Sequence, residues 1–326
     1  TLHIVHHGKQ RERKSEKQLK KELMKMRKIL VLGGNGFLGR NLCRHLVEMG
    51  EDVYSFDMSL PEKESRGIHY LEGDFFDDYT LQKIIDGMDV IYHAICTLNP
   101  GNSNEKCILG YERDFVQTAK LCSFIKDTDC RMIFFSSGGT VYGNQIEQPI
   151  KETAVPVPIN HYGNLKLCIE NTIRTFNFQM KKNMLVARIS NPYGPGQDYH
   201  KGVGFIDAAI KRTLKHETIE IWGDGNIVRD YIFIDDLCKM LYALIDYHGE
   251  FEVFNLSSNT GTSQNDVVNI LRQITSEVAV NYLPARTVDA KKIVLENNRI
   301  RAICAFPLVT PEEGIRRYYE YIQKRM

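Results

Sequence analysis

The sequence has no C-x-x-C pair. Its eight cysteines, Cys43, Cys96, Cys107, Cys122, Cys130, Cys168, Cys238 and Cys304, are scattered, and most sit within apolar runs. That spacing excludes a thiolate metal centre and predicts reduced core thiols, hence a cytoplasmic setting. No stretch approaches the roughly 20 apolar residues needed to cross a bilayer. The N-terminus lacks the apolar core of a secretory signal, so no membrane role is expected. Internal repeats and low-complexity tracts are missing too. Nor is there a large excess of one charge, the formal net being +1. Residues 1–28 nevertheless carry ten Lys/Arg against three Glu, a balance of +7, which leaves −6 for the other 298 residues. An acidic body does not suit nucleic acid, whose phosphates call for clustered Lys and Arg.

What is present is an ordinary globular balance of 326 residues, 43% hydrophobic and 25% charged, enough for one large α/β domain or two joined ones. Residues 1–25 hold His3, His6 and His7 and then a charged run; they read as a basic leader outside the fold, and no metal site is expected there. From residue 28 onward, short β-branched runs alternate with helical stretches. Strands are predicted at Ile29–Leu32, Val53–Phe56, Ile68–Leu71, Val90–His93, Met132–Phe135 and Met184–Arg188. Helices are predicted at Phe37–Met49, Leu81–Ile85, Glu105–Phe124 and Tyr162–Phe178. Strands separated by helices require right-handed crossovers and a parallel sheet covered on both faces, a Rossmann-type doubly wound α/β fold. After Ser190 the turn-rich Asn191-Pro192-Tyr193-Gly194-Pro195-Gly196 opens a more irregular region. It is expected to hold a helix Val203–Lys215, strands Ile219–Ile221 and Tyr231–Ile234, and a helix Asp235–Asp246. A last helix is signalled by the Thr310 cap, Pro311 and Glu312-Glu313. The expected division is 26–188 plus about 228–256 as a nucleotide-binding unit. About 189–227 plus 257–326 would then form a smaller C-terminal α/β substrate-binding region.

The first strand runs into Gly33-Gly34-Asn35-Gly36-Phe37-Leu38-Gly39, which satisfies both G-x-x-G-x-x-G (Gly33, Gly36, Gly39) and G-x-G-x-x-G. Glycine permits the turn and lets backbone approach a pyrophosphate, and the N–H groups around Phe37 and Leu38 face the anion with the helix dipole behind them. Asp57 ends the second strand 18 residues after Gly39, where a carboxylate accepts ribose hydroxyls and repels a 2′-phosphate; NAD is therefore expected over NADP. Asp74 ends the third strand and is expected at the adenine end. Tyr162 and Lys166 lie four apart on one helix face. A phenol with pKa near 10 is a poor base at neutral pH, and an adjacent ammonium and a cationic nicotinamide both favour its phenolate.

With these residues in place, the sequence resembles the extended short-chain dehydrogenase/reductase family, and within it the nucleotide-sugar epimerases of the UDP-glucose 4-epimerase type. The resemblance spans about residues 27–326. It rests on the Gly33–Gly39 loop, Phe134-Phe135-Ser136-Ser137-Gly138-Gly139-Thr140-Val141-Tyr142-Gly143, Tyr162-x-x-x-Lys166 and Arg188-Ile189-Ser190-Asn191-Pro192-Tyr193-Gly194-Pro195-Gly196. Arg229-Asp230-Tyr231-Ile232-Phe233-Ile234-Asp235-Asp236 and Arg286-x-x-Asp289 complete it. The resemblance implies that Phe75, Ala94, Ser136 and Ile189 join the glycines, Asp57, Asp74, Tyr162 and Lys166 around NAD. It implies that Asn191, Arg229, Arg286 and Asp289 hold the nucleotide diphosphate and its ribose.

Several positions depart from the family pattern. The usual catalytic Ser/Thr position is Gly138, so Ser137 or Thr140 is expected to supply the hydroxyl, with Ser136 on the same strand end. Gly139-Thr140 replace the acids of the related dehydratases and decarboxylases, which disfavours those reactions. Ile95-Cys96 stand where small residues are usual, Asp114 where Asn is usual, and Ile293 where a bulky tyrosine in some epimerases excludes N-acetylated sugars. The expected activity is NAD-dependent 4-epimerisation of a UDP-hexose, with transient oxidation at C4 and hydride return, in polysaccharide biosynthesis. A 4-keto-sugar reductase and a non-catalytic NAD-binding protein are the alternatives. A homodimer is expected through the helices predicted at Glu105–Phe124 and Tyr162–Phe178.

Overall fold

Ile29 and Val31 face one side of the first strand, Leu30 and Leu32 the other, and all four are fully buried. A strand apolar on both faces belongs inside a sheet covered by helices twice over. In the computed structural model, which describes residues 26–197, 204–285 and 290–326, this strand is an interior strand of such a sheet, paired on both sides. The strands are β1 (Lys28–Leu32), β2 (Asp52–Asp57), β3 (Ile68–Glu72), β4 (Val90–His93), β5 (Arg131–Ser137), β6 (Leu185–Ile189), β7 (Asn191–Tyr193), β8 (Ile219–Trp222), β9 (Val228–Phe233) and β10 (Val253–Leu256). Seven of them form a parallel sheet in the order β3-β2-β1-β4-β5-β6-β10. The order reverses between β1 and β4, and in doubly wound sheets a ligand crevice opens beyond the strand ends at that point.

Helices α1 (Phe37–Glu48), α2 (Asp78–Ile85), α3 (Cys107–Gly110), α4 (Val116–Ile125), α5 (His161–Met180), α6 (Phe205–Leu214) and α7 (Ile234–Ala243) follow in chain order. Leu42 and Leu46 of α1 and Leu237 and Met240 of α7 seal one face of the large sheet. Leu81 of α2, Leu121 of α4 and Leu165 of α5 seal the other. Between α3 and α4 the chain makes a π turn, Tyr111–Phe115, so the helix predicted over Glu105–Phe124 is interrupted.

A second, four-stranded sheet forms around β9. It takes β7, β11 (Gly261–Ser263) and β13 (Lys292–Ile293), while β12 (Val280–Leu283) pairs with β8. Helices α6, α8 (Gln264–Ile274) and α10 (Pro311–Gln323) share a core with it, through Ile210, Leu271 and Ile315. β9, expected with the nucleotide-binding unit, belongs to the smaller sheet. The short α9 (Asn298–Ile303), expected with the smaller region, buries Ile300 against the large sheet. Only Ser190 separates β6 of the large sheet from β7 of the small one. Thr310 caps α10 as predicted, accepting from the Glu313 N–H at 3.3 Å. α8, unpredicted, starts with a capping box in which Ser263 and Asp266 satisfy each other's backbone N–H.

Candidate active site

The glycine turn after β1 is held from below: the N–H groups of Gly33 and Gly34 donate to the Phe56 carbonyl at 2.9 and 3.2 Å. Gly33 has φ +85°, a conformation that favours glycine. A Cβ on Gly39 would stand 2.2 Å from the Gly33 carbonyl oxygen, and one on Gly34 2.1 Å from Ser55 Oγ. A Cβ on Gly36, by contrast, would meet only the Gly33 oxygen, at 3.3 Å. The front of the turn is therefore open while its back is packed. Helix α1 begins there with no side chain capping it, leaving backbone donors around Phe37 and Leu38 for an anion. Asp57 closes the other end: its Oδ2 accepts from the Asn35 N–H at 3.0 Å and its Oδ1 from the Met58 N–H at 2.8 Å. The carboxylate is thus fixed against the turn with lone pairs remaining for ribose hydroxyls. These residues fit a dinucleotide. A cavity of about 680 Å³ lies beside them, with Gly34, Asn35, Ser59 and Lys63 in its wall. Asp74 turns back to accept from the Phe76 N–H at 2.9 Å, Phe75 is buried beside it, and Ala94 continues the β4 ladder with its N–H on Leu32.

Asn160 starts α5 by accepting from the Gly163 N–H at 2.8 Å. A Cβ on Gly163 would stand 2.5 Å from the Thr140 carbonyl oxygen, so glycine lets the first turn of α5, with Tyr162, lie directly on the Ser137–Thr140 turn. Lys166, 2% exposed, donates to the Phe135 carbonyl at 2.9 Å, and its Nζ is 5.6 Å from the Tyr162 ring centroid. Burial pushes the Tyr162 phenol above its ordinary value; Lys166 pulls it down, and Cys96 and Asp114 oppose that pull. For Lys166 burial works downward, yet Cys96, Tyr162 and Asp114 hold the ammonium above its ordinary range. The pair is therefore brought together at the end of β5 with its proton on the phenol.

Ser137 ends β5, half-buried, and the Thr140 hydroxyl is buried with no partner among the described residues. Ser136, expected at the cofactor, gives its hydroxyl to Glu170 inside the core, where Glu170 also accepts from Arg188, from Nη2 at 2.6 Å and from Nε at 3.1 Å to each oxygen. The Ile189 carbonyl accepts from the Gly138 N–H at 2.8 Å. Asn191 and Arg229 share a cavity of about 250 Å³ with Tyr193, Phe205 and Gln264. Asn191 donates to the Asp230 carbonyl at 2.9 Å and Arg229 to the Ala290 carbonyl at 2.8 Å. Arg286 and Asp289 lie outside the described residues. Ile293 is buried in a cluster with Val141, Tyr142 and Leu295, so its side chain packs beneath the turn that carries Thr140.

Three residues went unread in the sequence. Gln264 lines the Asn191–Arg229 cavity, and its buried Oε1 has no partner among the described residues. Asp230 accepts from Ser258, Asn259 and Leu295 at 2.8–3.2 Å and stitches β9 to two loops; burial pushes it up to about 6 against those hydrogen bonds. His93, packed between Phe75 and Phe134, is held near 3 by burial and by Lys166. Its Nε2 meets Thr118 Oγ1 at 2.9 Å, and that hydroxyl donates to the Asp114 carbonyl, so Nε2 carries the proton. No sequence pattern marks Gln264 or His93, and the Arg229–Asp236 motif that contains Asp230 gives no sign of the loops it joins, since each role depends on what a distant segment brings to it. Among the described residues no cluster suited to a metal occurs, and no helix is long and apolar enough to cross a membrane.

A parallel doubly wound sheet, an open glycine turn, an acid at the end of β2 and a Tyr/Lys pair at the end of β5 define a dinucleotide-dependent enzyme of the short-chain dehydrogenase/reductase type. The chain belongs to the NAD dependent epimerase/dehydratase family, whose model matches residues 29–257. The UDP-glucose 4-epimerase of Halalkalibacterium halodurans is 27% identical over 298 residues, spanning 84% of this chain and 89% of that protein. The dTDP-4-dehydro-6-deoxyglucose reductase of Escherichia coli is 27% identical over 305 residues, spanning 88% and 95%. Among solved structures, the UDP-glucose 4-epimerase of Thermotoga maritima with UDP-glucose superposes with a TM-score of 0.85 at 28% identity, covering 91% of this chain and 99% of that one.

Proposed function

We propose that the protein is an NAD-dependent nucleotide-sugar 4-epimerase acting on a UDP-hexose. The observation that carries this reading is the Tyr162–Lys166 pair, seated on the Ser137–Thr140 turn at the end of β5. The open face of the Gly33–Gly39 turn, Asp57, Asp74 and the backbone at Ala94 and Ile189 hold the cofactor. Bound NAD supplies reversible hydride acceptance at the sugar C4. Tyr162 takes the proton of the sugar 4-hydroxyl and later returns it. Lys166 lowers the cost of the phenolate, and the hydroxyl of Ser137 or Thr140 orients the reacting oxygen. Asn191 and Arg229, with Arg286 and Asp289, grip the diphosphate and ribose, so the sugar turns over without leaving. The absence of an acid at Gly139 and Thr140 supports epimerisation over dehydration.

The same reading takes the protein as cytoplasmic, with its eight cysteines free. It also takes it as a homodimer, supported by the exposed apolar Ile108, Leu109 and Val116 on α3 and α4. Tyr162→Phe tests the central claim. It is expected to abolish interconversion of UDP-hexoses while the protein still binds NAD, and near-normal turnover would remove Tyr162 from the reaction. The Escherichia coli reductase relative supports a second reading, a 4-keto-sugar reductase. Cofactor stoichiometry separates the two, because an epimerase interconverts sugars with no net consumption of NADH.

A further inference from the structure

The cavity of about 250 Å³ on the smaller sheet holds one group that a diphosphate does not explain. Gln264, the first residue of α8, lines it, and its Oε1 is buried with no partner among the described residues. The capping box of Ser263 and Asp266 fixes the helix start on either side of it. Tyr193, Ile206 and Tyr231, all buried, stand in the same wall. An amide oxygen shut in by such neighbours costs free energy unless a group donates to it. Ionised phosphate oxygens only accept, so the diphosphate placed at Asn191 and Arg229 is not that donor. The ligand group that meets Oε1 is an O–H or an N–H.

Strand register orders the wall. On β9, Tyr231 pairs with Asn191, Arg229 with Thr262 and Val228 with Ser263, the residue before Gln264. Asn191, Arg229 and Gln264 therefore follow one another along β9, over three residues or roughly 10 Å. The Asn191 end leads through Ser190 to Ile189, which is laddered to Ser137 in the turn beneath Tyr162. A nucleotide sugar whose hexose reaches Tyr162 lays its diphosphate over Asn191 and Arg229, and its ribose falls beside Gln264.

We propose that Gln264 is a specificity-determining residue whose Oε1 accepts from a ribose hydroxyl of the bound nucleotide and so selects ribonucleotides over deoxyribonucleotides. A ligand without that hydroxyl leaves the buried oxygen unmet, so the site penalises it beyond the loss of one contact. This rests on the reading of the Asn191–Arg229 cavity as the diphosphate site; no hydride or proton step enters it.

The test is a binding measurement that needs no turnover. UDP, 2′-deoxy-UDP and 3′-deoxy-UDP, none of which carries a hexose, are titrated calorimetrically into the full chain in the presence of NAD. One of the two deoxy forms is expected to bind about 10-fold more weakly than UDP. Gln264→Met keeps an unbranched stem of similar length and removes the acceptor; the three affinities are expected to converge to within about 2-fold. Gln264→Glu keeps an acceptor, and although its charge weakens all three ligands through their phosphates, the difference between them is expected to persist. Equal affinities in the parent protein, a difference that survives in Gln264→Met or vanishes in Gln264→Glu, or no binding of UDP at all overturns the proposal. If the affinities follow the expected pattern yet no UDP-hexose is turned over, the epimerase reading fails and the role of Gln264 stands. Turnover with equal affinities means the reverse.

Discussion

Leu295 Cδ1 fills the space that a side chain at Gly138 would need: a Cβ there would stand 2.2 Å from that methyl and 3.2 Å from the Arg188 carbonyl oxygen. The glycine and the leucine are 157 positions apart, and Leu295 is fully buried with Val141 and Tyr142. The missing hydroxyl at Gly138 is therefore matched by packing from the C-terminal segment.

Gly138→Ser is expected to destabilise the fold by about 1–3 kcal/mol through overpacking. Adding Leu295→Val removes a methylene from the contact, so the double variant is expected to recover most of that loss. Denaturant unfolding of the two single variants and the double one gives the coupling. Strict additivity would mean that the leucine does not exclude the serine.

Asp57 grips the turn with both oxygens, one on the Asn35 N–H and one on the Met58 N–H. Asp57→Ala loses those ties together with the ribose acceptors. NAD affinity is expected to fall about 10- to 100-fold, the equivalent of one or two charge-assisted hydrogen bonds. Calorimetric titration of NAD into the cofactor-free protein measures it, and unchanged affinity would remove Asp57 from the cofactor site.

His93 stays neutral in the fold, held near 3 by burial and then by Lys166. In the unfolded chain a histidine takes a proton below about 6.5. Its contribution to stability is thus complete above pH 6.5 and declines as the pH falls from there toward 3, at up to about 1.4 kcal/mol per pH unit. His93→Gln retains a donor for Thr118 and cannot titrate. Its Tm is expected to fall less steeply than that of the parent protein between pH 7 and pH 4, and parallel curves would contradict this.

The nucleotide-binding half was legible because its signals are local. β1 to β6 are short apolar runs between helices, and the glycine spacing and Asp57 sit at fixed offsets from β1 and β2. What the sequence hid depends on distant partners. Val253–Leu256 is a four-residue run that becomes the seventh strand only by pairing with β6, and β9 is assigned to its sheet by β7, β11 and β13. The commitment of the Ser136 hydroxyl to Glu170, 34 residues on, carries no sequence mark. The π turn Tyr111–Phe115 escapes a periodicity argument that reads one continuous 3.6-residue period over Glu105–Phe124.

The passage from β6 to β7 through Ser190 alone leaves the backbone no slack between the two sheets. Ile189 is laddered to Ser137 and Leu256 on one side of that residue, and Asn191 to Tyr231 on the other. A displacement of the smaller sheet would therefore be carried by the backbone itself into the ends of β5, β6 and β10. With Asn191, Arg229 and Tyr162 in the roles proposed above, hold on the nucleotide and placement of the sugar would be geared to each other, with Ser190 as the shaft.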